Sequence, residues 1–130
     1  MGCLLCIMPT LVYTVFMTKG EMEDAIAKDF TAFYAETVGV GPRQSKVYLM
    51  HDMAIVRLKG STHQYEQILL QKNKGIEMVK QMRTTVLEAV VGDLQKIVEK
   101  HTGSHVLSVH ADSSTRTGER FVIFILDRQF

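Results

Sequence analysis

An α+β fold is predicted by three observations: a helical run followed by two β-prone runs, the same order repeated later in the chain, and glycine or proline at the boundaries. The expected architecture is a doubled αββ unit forming a four-stranded, mainly antiparallel sheet with helices over one face. Identity between the halves is slight, so the repeat is one of architecture.

Thr18 and Glu21 form a capping box that opens the first helix. Met22, Ala25, Ile26, Phe30, Phe33, Tyr34 and Val38 then recur at three- and four-residue steps, and Gly39, Gly41 and Pro42 stop the run. KVYLM at 46–50 and MAIVRLK at 53–59 are β-prone runs separated only by His51 and Asp52, a tight hairpin. Alternation places Ala54, Val56 and Leu58 on the core side and Arg57 and Lys59 on the other.

A short helix starting within Ser61 to Gln64 is expected to present Tyr65, Ile68 and Leu69, until Asn73 and Gly75 interrupt it. The clearest segment follows, a stripe of Ile76, Val79, Met82, Val86, Leu87, Val90, Leu94, Ile97, Val98 and His101 that ends at Thr102 and Gly103. Gly92 inside it reads as a point of close helix packing. A strand at 105–110, a polar loop and a β-forming run at 120–126 complete the second half. Met22, Met78 and Met82 read as flexible core filling; Met50 and Met53 flank the hairpin, where core or dimer packing is favoured over an adaptable docking surface.

Composition narrows the function. The chain of 130 residues suits one domain, and its 46% apolar and 22% charged content is that of a globular protein. Fifteen basic against fourteen acidic residues leave a formal charge of +1, without the one-sign excess of a nucleic-acid binder. Cys3 and Cys6 cannot staple the chain and fit a reducing compartment; a lone C-x-x-C is weak evidence for zinc or redox chemistry. The apolar run at 2–17 is broken by Pro9, is shorter than the roughly 20 residues of a spanning helix, and lacks the basic flank of a signal peptide. Cys6 also defeats a myristoylation pattern. Residues 1–16 are therefore read as an apolar N-terminal extension and 17–130 as the single domain.

The chemistry-bearing residues gather near hairpins. His51 and Asp52 at the first, with His110 and Asp112 beside the second, are metal candidates if the tips converge, because imidazole and carboxylate suit zinc-like ions. Arg116 and the loop hydroxyls suit an anion. Turn chemistry explains the same residues: Asp112, Ser113 and Ser114 satisfy turn amides, and Thr117 with Gly118 makes a positive-φ corner. Serines and histidines lie close in sequence, but no strand-to-helix elbow presents a nucleophile, so no catalytic residue and no cofactor is assigned.

FYAETVGVGP at 33–42, DMAIVRLKG at 52–60 and HADSSTRTGERFVIF at 110–124, after the Thr18 to Glu21 start, resemble the MpsC family, a small bacterial family first described as a domain of unknown function. The resemblance covers about Met17 to Asp127; STHQYEQ at 61–67 departs from it, standing where the family carries a proline-containing helix start. It implies a soluble, non-enzymatic accessory or regulatory component of a membrane system that moves sodium or bicarbonate. The implied partner is a membrane transport protein, and the implied location is cytoplasmic or peripheral at the inner face of the membrane. Arg57, Lys59, Asp112, Arg116, Glu119 and Arg120 are the residues expected to touch a partner or an anion. A homodimer is also expected, since a sheet with helices on one side leaves two edges and a face to cover. The alternatives are a module sensing a small anion or nucleotide between its halves and a metal-dependent enzyme built on the His/Asp tips.

Overall fold

The computed structural model describes residues 17–60 and 62–130. Helix α1 (Lys19–Phe33) leads through a π-helical turn (Tyr34–Val38) to β1 (Gln44–Met50) and β2 (Met53–Lys59). A short α2 (Gln64–Leu69) turns into the long α3 (Gly75–Thr102), followed by β3 (Val106–Ser113) and β4 (Arg120–Leu126). The strands form one antiparallel sheet in the order β1-β2-β4-β3, so each half contributes a hairpin and the halves join through β2 and β4. This is the doubled αββ architecture of an α+β fold, with two elements the periodicity did not resolve: the π turn and the inward aim of α2. The apolar extension at 1–16, with Cys3 and Cys6, lies outside the described residues.

Helix α1 starts where expected, with the Thr18 hydroxyl accepting from the Glu21 amide at 3.1 Å. Its inner side buries Met22, Ile26 and Phe30 against Val47, Leu49, Ala54, Val56, Leu58, Val122, Phe124 and Leu126 of the sheet. Phe30 and Phe124 meet edge to face, their ring centroids 6.0 Å apart. Leu94 and Val98 of α3 close the same core, and His101 Nε2 lies 2.6 Å from Asp29 Oδ2, tying α3 to α1.

Each half also protects its edge strand with a helix carboxylate. Glu23 of α1 accepts from the Leu49 amide of β1 at 2.8 Å, and Glu99 accepts from the Val106 amide of β3 at 2.8 Å. These contacts occupy edge amides that would otherwise template strand addition.

Three packing expectations are corrected. The α3 stripe is buried at Val79, Leu94 and Val98, but Ile76 is 42% and Met78 58% exposed, so Met78 does not fill the core. The first turns of this helix follow directly on the six-residue α2. Gly92 is exposed and an added Cβ would meet nothing within 4 Å, so it marks no close packing. The close approach is at Gly75 instead, where a Cβ would lie 1.6 Å from the Leu69 carbonyl oxygen.

Candidate functional site

Helix α2 has its polarity reversed relative to expectation. Tyr65 and Ile68 are 50% and 61% exposed, whereas Glu66 is buried. Two bonds account for this. One Glu66 oxygen accepts from the His63 amide at 2.8 Å, capping the helix, and the other lies 3.3 Å from Arg83 Nε. Arg83 is itself buried and donates through Nη2 to the Thr62 hydroxyl at 3.4 Å, while its Nη1 has no acceptor among the described residues.

Arg120, at the start of β4, enters the same cluster from the sheet, with Nη2 at 3.8 Å from Glu66. Antiparallel pairing with Ser113 and Leu58 turns its side chain to the helix side. It also bonds to Tyr34, which is buried at the end of the α1 stripe and opens the π turn, where the Gly39 amide donates to the Tyr34 carbonyl at 2.9 Å, five residues back. Burial holds the Arg120 guanidinium below its ordinary pKa, and the like charge of Arg83 adds to the effect. Burial raises the Tyr34 phenol, partly offset by Arg120.

Tyr34, Arg83 and Arg120 line a cavity of about 150 Å³ between α3 and the β3–β4 pair. Lys80, Thr84 and Ser113 contribute polar groups, and Val86, Leu87 and Val122 contribute apolar walls. Two guanidinium groups face one carboxylate inside the cluster, so its fixed charge is positive.

The residues singled out from the sequence are divided between the two faces of the sheet. Arg57, Lys59 and Glu119 meet on the open face: Glu119 Oε1 accepts from Arg57 Nε at 3.0 Å and lies 3.2 Å from Lys59 Nζ. Arg57 also lies 5.6 Å from the centroid of Phe121. Asp112 is opposite Phe121 in register and accepts from the Ser113 amide at 2.8 Å. Arg116 is exposed in the β3–β4 connection. Only Arg120 reaches the buried cluster.

That connection has the geometry of a self-satisfied turn. The Ser114 amide donates to the Glu119 carbonyl and the Gly118 amide to the Ser114 carbonyl, both at 2.9 Å, with Gly118 at φ 75°. The strand before it is longer than expected, since Ala111 to Ser113 also belong to β3.

The two hairpin tips do not converge. Pairing of Met53 with Ile125 and Leu58 with Arg120 places His51 and Asp52 at one end of the sheet and the 114–119 connection at the other, roughly 17 Å away for five strand steps. Among the described residues no group of three or more His, Cys, Asp or Glu side chains is placed to hold a metal. Nor is any described helix long and apolar enough to cross a membrane.

The open face carries a second feature. Tyr48, Met50, Met53, Ile55, Phe121, Ile123 and Ile125 alternate with the core residues and stand away from the helices, with Tyr48, Met50 and Phe121 between 37% and 43% exposed. Lys46, Arg57, Lys59 and Glu119 bound this apolar area at one end.

Comparison with known proteins places this architecture. No solved structure matches the chain. The chain is similar to the uncharacterized protein YbcI of Bacillus subtilis (strain 168), at 36% identity over 109 residues that cover 84% of this chain and 88% of that protein. Residues 18–128 match the family model described as "Na+-translocating membrane potential-generating system (MpsC)", and the chain belongs to the MpsC family.

Proposed function

We propose that the protein is a non-enzymatic accessory component of a membrane ion-transport system, docking through the open face of its sheet on a membrane transport protein at the inner side of the membrane. The observation that carries this reading is the apolar area of Met50, Met53, Ile55, Ile123 and Ile125, bounded by charges at one end. Apolar sheet faces of this kind commonly serve as interfaces. The family description supplies the class of system, and it names a system rather than a reaction. Glu23 and Glu99 occupy edge amides, which favours the face over the edges as the place of attachment.

The test is affinity capture from gently solubilised native membranes with wild-type protein and Ile55→Lys. Recovery of a multispanning ion or bicarbonate transporter by the wild type alone, with both proteins melting at similar temperatures, is the expected result. Equal capture by the variant removes the face from the interface.

Self-association is the second reading, favoured by the distribution of charge. A twofold axis parallel to the strands would set β1 and β2, with Lys46 and Arg57, over Asp112 of a second copy while the apolar ends met. Sedimentation equilibrium separates the readings, since a dimer lost in Ile55→Lys with no transporter captured by the wild type assigns the face to a second copy.

A further inference from the structure

We propose that the cavity between α3 and the β3–β4 pair binds a small oxyanion, held by Arg83 and Arg120 and closed by Lys80, Thr84, Tyr34 and Ser113. This is independent of the docking role, since the cavity lies on the helix side of the sheet and the apolar face on the other.

Charge is the first argument. Arg83 and Arg120 are both largely buried, with side chains 5% and 12% exposed, and one buried carboxylate, Glu66, stands against them. Buried charges are stabilised by close counter-charges, and an anion beside Arg83 adds one. Burial lowers the Arg120 pKa, and the like charge of Arg83 adds to it.

Hydrogen bonding is the second argument. Nη1 of Arg83 is buried without an acceptor among the described residues, although Nε and Nη2 are engaged. Buried donors in folded proteins are nearly always satisfied, so an orphan on a residue lining a cavity marks the place of an acceptor. Guanidinium groups fit carboxylate, bicarbonate and phosphate oxygens, and the Thr84, Ser113 and Tyr34 hydroxyls add neutral donors.

Size sets the class. A cavity of about 150 Å³ holds several waters, at about 30 Å³ each, or one ion of four or five heavy atoms with part of its hydration. A nucleotide would extend beyond it.

Thermal melts and isothermal titration calorimetry with sodium bicarbonate, acetate, phosphate and sulfate, each against chloride at equal ionic strength, test the site. At least one of these should stabilise the wild type saturably. Lys80→Ala and Thr84→Val lie outside the Glu66–Arg83 pair and keep the cluster intact; each should weaken binding of that anion at least threefold, and Arg83→Gln, where it folds, at least tenfold. The rank of the four anions separates planar carboxylate-like from tetrahedral ligands. No stabilisation beyond chloride, or binding unchanged in both Lys80→Ala and Thr84→Val, overturns the proposal.

Discussion

Glu66 and Arg83 hold α2 against α3, and removing either leaves the other's charge buried. Glu66 is the more exposed to this imbalance, because it faces Arg120 as well. Glu66→Gln should therefore destabilise by about 3 to 5 kcal/mol, the range for breaking a buried ion pair, and by more than Arg83→Gln, which leaves Glu66 with Arg120 nearby. Urea unfolding of both variants checks the order as well as the size. On the open face, donation from Arg57 holds the Glu119 carboxyl below its ordinary 4.5. A carboxylate depressed by folding adds stability above its unfolded pKa, and that stability is lost as pH falls through the folded value. The deficit of Glu119→Gln against wild type should accordingly be present at neutral pH and shrink as the pH falls below the ordinary carboxyl range, read from urea midpoints at each pH. The sequence foretold little of the buried cluster. Arg120 stood out for its position after the polar loop, but Arg83 follows Met82 with no local mark of burial, and Glu66 sits between apolar residues that suggested the opposite helix face. Only the long-range meeting of α2, α3 and β4 gives these side chains partners.

The elements themselves were largely legible, because each main one has a period that its burial enforces. Alternation in MAIVRLK put Ala54, Val56 and Leu58 inward, and the structure buries all three. Thr18 caps α1 as expected, so Thr18→Ala should lower stability by about 1 kcal/mol in a thermal or urea melt. Where the period failed, competing local contacts explain it. The period places Tyr34 on the buried face, as found, but neither the i+5 bond that follows it nor its meeting with Arg120 shows in a period. β3 was read short because its polar residues lie on an edge strand and face water. In α3, Gly92 is exposed, mid-helix and clear of neighbours, so Gly92→Ala should stabilise by up to about 1 kcal/mol. Gly75→Ala should do the reverse, since its Cβ would collide with the Leu69 carbonyl, which the backbone must move to relieve. The same melts compare the two glycines directly.

At the scale of the molecule, the repeat of αββ units raises the question whether each half is a folding unit. Each has a helix, a hairpin and a carboxylate on its edge strand, but the sheet that makes the core is assembled across the halves: β2 and β4 pair from Met53–Ile125 to Leu58–Arg120. An isolated half would keep two strands and one long helix, and would expose Ala54, Val56 and Leu58 or Val122, Phe124 and Leu126 along an unpaired inner strand. Two strands rarely form a stable sheet alone, and a newly exposed inner edge invites aggregation. The Glu66–Arg83 contact and the His101–Asp29 contact also cross between the halves. Fragments 17–73 and 74–130, divided in the exposed turn between α2 and α3, should each lack a cooperative melt by circular dichroism, yet copurify and melt together when coexpressed. If either fragment alone unfolds cooperatively as a monomer, the halves are autonomous units that dock, and the β2–β4 ladder is an interface rather than the centre of a single core.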